Sequence, residues 1–150
     1  MTVYSLIILV HIIAAVCGLG ATFALPVLMN KPKTVTQAQF AFTVNAGVEK
    51  LAKVGSITLL ITGLMLGIMN PHLFTQGWYI ISIIVFIAIQ PVVIVVLPKK
   101  MAKQMKILET HDGTELPEAY KQIGKQLAPF HSMTHIAAVV LIILMVLKPF

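Results

Sequence analysis

Histidine is the residue type here whose placement most constrains chemistry, because imidazole ligates metals, relays protons and changes charge near neutral pH. The chain has five, and three of them, His11, His131 and His135, fall inside long apolar runs. An ionisable side chain in hydrocarbon is costly and normally faces a partner, a cofactor or a cavity. At helical spacing His11 shares a stripe with Ala14, Ala15, Gly18 and Thr22, small enough to admit a flat ligand beside the ring. His131 and His135 stand four apart and so occupy one face, with His135 the deeper. If the helices carrying His11 and His135 are neighbours, the two rings lie ~10 Å apart in depth at a ~1.5 Å rise, within reach of one central site. Imidazole nitrogens are axial ligands of b-type haem, which makes His11 and His135 candidate metal ligands and His131 a further cofactor contact. The alternative is that each histidine hydrogen-bonds a nearby Ser, Thr or Gln90 and fixes helix register. A zinc or copper site on His131 and His135 needs additional ligands.

Other residues carry weaker signals. Lys53 lies just inside an apolar boundary, four positions after Glu49. It either snorkels to the membrane surface or offers a cation to a propionate or another anionic group. Met65, Met69, Met101, Met105 and Met133 are soft copper ligands in principle and adaptable packing in most proteins. The lone Cys17 excludes an intrachain disulfide and a CxxC motif. His72 and His111 fall in loops.

What must position these residues is a set of four stretches, roughly 3–29, 51–69, 78–97 and 127–147, each apolar and long enough to cross a bilayer. With 58% hydrophobic and 11% charged residues over 150 positions, the chain reads as one integral membrane domain. The first stretch lacks a basic leader and a cleavage site and is expected to be a retained helix. All eleven cations are lysine. Four of them flank the first loop and six fill the third, while the second loop and the N-terminus have none. The positive-inside rule places loops one and three in the cytoplasm and both termini outside, Lys148 being the one dissent. A net charge of +6 is orientation and head-group chemistry rather than nucleic-acid binding, since no aromatic residues interleave with the basic runs.

Along the chain, Lys31-Pro32-Lys33 reads as a turn and Thr34 as an N-cap, opening a polar helix 35–48 that continues into the second stretch. Asn70-Pro71 closes that helix. Trp78-Tyr79 sits where an interfacial anchor belongs. Gln90-Pro91 should kink the third helix, with Pro98 marking its inner end and 99–110 forming a separate polar helix. Asp112-Gly113 is a turn, and Pro117 suits the first turn of the last helix, which Gly124 and Pro129 should bend. Gly63 and Gly67 form a GxxxG pair suited to tight helix contact. The expected fold is all-α: a four-transmembrane-helix, up-down bundle with helical cytoplasmic extensions.

Leu9-Val10-His11-Ile12-Ile13-Ala14-Ala15 with Gly18-Leu19-Gly20, Lys50-Leu51-Ala52-Lys53-Val54-Gly55, and Ile61-Thr62-Gly63-Leu64 resemble small uncharacterised bacterial membrane proteins. Those are similar at a distance to the copper-resistance protein CopD and the haem-dependent protoporphyrinogen oxidase HemJ. The resemblance covers the first two helices. It implies a four-helix core in a bacterial inner membrane, His11 as a haem ligand and Lys53 as a weaker site candidate. The function expected first is haem b binding for electron transfer or haem handling, with an unidentified redox partner and possible homo-oligomerisation. A haem-dependent oxidoreductase is the enzymatic variant, and a binding role is favoured over it. The other classes are a small transporter or channel, with Gln90, the histidines and Lys53 lining a polar path, and a cofactor-free accessory subunit.

Overall fold

A computed structural model of the chain describes residues 2–150. It is helical almost throughout, and among the described residues the only extended pairing is an isolated bridge between Thr34 and Glu115. Four helical rods are long and apolar enough to span a membrane: α1 (Val3–Asn30), α2 (Val35–Met69), a third running Gly77–Glu109, and α5 (Glu118–Leu147). The third comprises α3 (Gly77–Pro91), a π-helical turn at Val92–Val96 and α4 (Leu97–Glu109). Their outward faces are studded with large apolar side chains, among them Val16, Ile57, Ile84, Ile94 and Ile136. Against water that surface would be untenable. Against lipid it is the expected solvent-facing side, because the helices satisfy nearly all of their backbone polar groups internally.

The helix ends follow from local chemistry. Thr2 caps α1 by accepting from the Ser5 amide, and the rod stops before Pro32. Thr34 caps α2 by accepting from the Gln37 amide at 3.3 Å, while Gln37 Oε1 accepts from the Lys33 amide at 2.8 Å, a variant of the capping box. The polar extension and the second apolar stretch are one helix of 35 residues, ~50 Å at the α-helical rise, so α2 stands well clear of a ~30 Å core. Asn70 and a 3-10 turn, Pro71–Thr75, close it.

Two expectations need correction. Pro98 does not end the third rod, which continues to Glu109. Pro91 removes one amide donor, and the ladder takes up the irregularity in the π turn that follows it. Pro98 then falls in the first turn after that π segment, a position where a missing donor is tolerated. Pro117 is the N-cap of α5 and not part of its first turn.

Packing is uneven around the bundle. α1 lies closely along α2 and also against α5, and α5 in turn packs on α3. The backbones of α2 and α3, although consecutive in sequence, do not meet. Their seam is closed at the lysine-poor end by Tyr79, whose hydroxyl donates to the Gly63 carbonyl at 3.0 Å, and at the lysine-rich end by α4 against α2. The α1–α2 crossing centres on Gly18 and Gly55, where a Cβ on Gly55 would fall 2.5 Å from the Gly18 nitrogen. Only glycine allows that approach. Gly63 and Gly67 instead make room for side chains, those of His11 and Tyr79 respectively.

At the lysine-rich end the extensions form a small core of Val35, Ala38, Leu108 and Tyr120. The Val35 amide donates to the Thr114 carbonyl at 3.0 Å, and the buried Gln104 amide donates to the Tyr120 carbonyl at 3.1 Å. Mid-bundle, Ala14, Leu59, Phe86 and Leu141 form the waist.

Candidate functional site

Two cavities flank that waist. Leu19, Phe86 and Leu141 line both and form the wall between them. The larger, about 460 Å³, has His11, Leu59, Gly63, Tyr79, Phe86 and Met145 on its surface. The smaller, about 320 Å³, lies toward the lysine-rich end and includes Asn45, Glu49, Lys53, Gln90, His131 and Thr134. Both volumes are in the range of small-ligand sites.

His11 Nδ1 lies 2.8 Å from Thr62 Oγ1. The Thr62 hydroxyl has one proton and is 2.7 Å from the Thr58 carbonyl and 3.2 Å from that of Leu59. When the hydroxyl donates to one of these carbonyls it accepts from His11 Nδ1–H, and Nε2, which has no protein partner among the described residues, keeps its lone pair. An imidazole whose one nitrogen donates to a fixed partner while the other keeps its lone pair is the arrangement found in metal-ligating histidines. Gly63 supports it: a Cβ there would lie 3.2 Å from His11 Cε1.

His135 has a different role. Its Nε2 is 2.7 Å from the Thr22 carbonyl, and its ring stacks on Phe23 at 4.8 Å between centroids. In a regular helix the Thr22 carbonyl accepts from residue 26, but residue 26 is proline and has no amide proton. His135 supplies the missing donor from the neighbouring helix. The interaction at once satisfies α1 at its proline and sets the register of α5.

The sequence-predicted residues are thus divided. His11 alone lines the larger cavity. Thr22, which His135 contacts, is eleven positions along α1 from His11, ~16 Å at the helical rise, and His135 lines neither cavity. The two rings do not converge. His131 and Lys53 belong to the smaller cavity, where Lys53 Nζ is 3.0 Å from Glu49 Oε1. Among the described residues no group of three or more His, Cys, Asp or Glu side chains is placed to hold a metal ion. Met145, at the larger cavity, and Asn45 and Thr62 were not singled out from sequence. Thr62 and Asn45 were readable only as polar residues at helical spacing, and the proline-to-Thr22 interval was the available signal for His135.

A family model described as "Predicted integral membrane protein (DUF2269)" matches residues 5–149. No curated protein and no solved structure matches the chain.

Proposed function

We propose, from the premise that the chain belongs to the DUF2269 family of predicted integral membrane proteins, that it binds b-type haem in the larger intramembrane cavity, where His11 would hold the iron. The observation that supports this reading is the 2.8 Å contact of His11 Nδ1 with Thr62 Oγ1, which leaves Nε2 without a protein partner among the described residues beside a mainly apolar cavity. The residues present fit the group in several respects. Phe86, Leu59 and Leu141 give apolar walls, Gly63 leaves room for the His11 ring, and Met145 is a second cavity-lining donor of a type that ligates haem iron. Among the described residues no cation lines this cavity; Lys148, the cap that follows α5, has its Nζ 5.5 Å from the Trp78 ring centroid and would be the cation available to the propionates.

When bound, the group supplies a one-electron redox centre in the membrane. The chain's own contribution is to hold the Nε2 lone pair in place through Thr62, to keep water out with the apolar waist, and to seal the lysine-poor end of the seam with the Tyr79–Gly63 bond. The lysine-rich end faces the cytoplasm in this reading, following the positive-inside rule.

The test is an oxidised and dithionite-reduced absorption spectrum of protein purified in mild detergent from haem-supplemented cells. A Soret band that is lost in His11→Ala and kept in His72→Ala and His111→Ala supports the assignment. Equal haem content in wild type and His11→Ala overturns it. A second reading, transport of an amphipathic solute, is favoured by the grouping of Gln90, His131 and Lys53 around the smaller cavity, and is tested by solute flux into proteoliposomes.

A further inference from the structure

The smaller cavity is mostly apolar, and its charged side chains, Glu49 and Lys53, lie toward the lysine-rich end of the bundle. Asn45, Glu49 and Lys53 follow one another at four-residue intervals on α2 and so form a single stripe at the lysine-rich mouth. Deeper in, Phe86, Ala138 and Leu141 line the seam with hydrocarbon. Between α2 and α3, whose backbones do not meet, such a cavity is accessible to lipid.

Two features of the stripe specify a guest. Asn45 is only 3% exposed, yet its Oδ1 has no hydrogen-bond partner. A buried acceptor without a donor is destabilising and calls for one. Beside it the Glu49 carboxylate and the Lys53 ammonium stand 3.0 Å apart, a dipolar pair at the same opening. What completes this arrangement is a head group that brings a cationic N–H donor to Asn45 Oδ1 and Glu49, an anionic oxygen to Lys53, and an apolar tail to the seam.

We propose that the smaller cavity is a binding site for a phospholipid with a primary-amine head group. The ammonium lies at Asn45 Oδ1 and the Glu49 carboxylate, the phosphate accepts from Lys53 Nζ, and one acyl chain runs past Ala138 toward Leu141. A choline head carries the same charges without an N–H and leaves Asn45 unfilled. A glycerol head keeps the phosphate and its hydroxyls but has no cation for Glu49. The site is separate from the His11 cavity, so neither this inference nor the haem reading depends on the other.

The test uses the full chain in mild detergent, with displacement of a fluorescent phospholipid by phosphatidylethanolamine, phosphatidylcholine or phosphatidylglycerol of identical acyl chains. Phosphatidylethanolamine should bind about tenfold more tightly than either of the others, the scale of one hydrogen bond to a charged group. Glu49→Gln and Asn45→Leu should each remove that preference without abolishing weak binding common to all three lipids. Should Asn45→Leu fail to fold, Glu49→Gln alone decides, because its side chain is 30% exposed and lies at the mouth. Equal affinity for ethanolamine and choline lipids, tighter binding of phosphatidylglycerol, or a preference that survives Glu49→Gln overturns the proposal.

Discussion

Replacing His135 by leucine should destabilise the bundle by about 2 kcal/mol, and about half of that cost should depend on a proline one helix away. In wild type the substitution leaves the Thr22 carbonyl without a donor, since Pro26 has none to give. A buried orphan acceptor costs roughly 1–3 kcal/mol in water-soluble proteins, whereas intramembrane hydrogen bonds measured by double-mutant cycles average about 0.6 and reach about 1.7. The lower scale applies inside lipid, so about 1 kcal/mol is assigned to the carbonyl. Loss of the Phe23 stack at 4.8 Å adds about 0.5–1.5 kcal/mol. Pro26→Ala restores an amide proton at the position that normally serves the Thr22 carbonyl. In that background His135→Leu should cost only the stacking part. The coupling between the two sites is then about 1 kcal/mol, roughly fivefold in the unfolding constant. The assay is reversible unfolding by sodium dodecyl sulfate in mixed micelles, followed by helicity and by Trp78 fluorescence, for wild type, both single variants and the double variant. Additivity to within about 0.3 kcal/mol would refute the idea that His135 substitutes for the missing backbone donor.

Three further outcomes are expected. Gly55→Ala should prevent normal α1–α2 packing, at a cost of at least about 1–3 kcal/mol from overpacking, while Gly47→Ala, inside α2 with nothing within 4 Å of the added carbon, should not destabilise in the same assay and should gain up to about 1 kcal/mol from helix propensity. Thr62→Val keeps the volume but removes the acceptor for His11 Nδ1–H, so under the haem reading it should weaken haem retention about 10–100-fold, with Thr62→Ser retaining it; haem titrations read this directly. Tyr79→Phe deletes the one hydrogen bond tying α3 to the Gly63 carbonyl and should cost about 0.6–1.7 kcal/mol, measured as a shift of the unfolding midpoint with an unchanged helical spectrum.

The sequence carried the membrane assignment and most helix termini because those depend on short-range chemistry. Thr34 as a cap, Asn70-Pro71 as a stop and the merger of the polar 35–48 helix with the second apolar stretch were all readable from spacing. Pro98 was misread as an end because a proline's effect depends on whether the preceding turn can widen, and the π turn at Val92–Val96 lets it. The GxxxG pair was also misleading: a glycine marks close approach without telling whether a backbone or a side chain approaches. At Gly55 it is the Gly18 backbone, and at Gly63 it is an imidazole.

Four apolar stretches, the lysine distribution and the intramembrane histidines are properties of the chain alone, since burial in lipid is decided by composition over a span. The division of those histidines was decided only in three dimensions. Helical spacing fixes which residues share a face, but not the rotation of one helix against its neighbour, and it is that rotation which turns His11 to Thr62 and the larger cavity, His135 to the carbonyl stranded by Pro26, and His131 to the cavity of Asn45, Glu49 and Lys53. In lipid, where apolar faces are nearly interchangeable, such rotations are set by close glycine contacts and a few interhelical hydrogen bonds. Those are pairings between residues far apart in sequence.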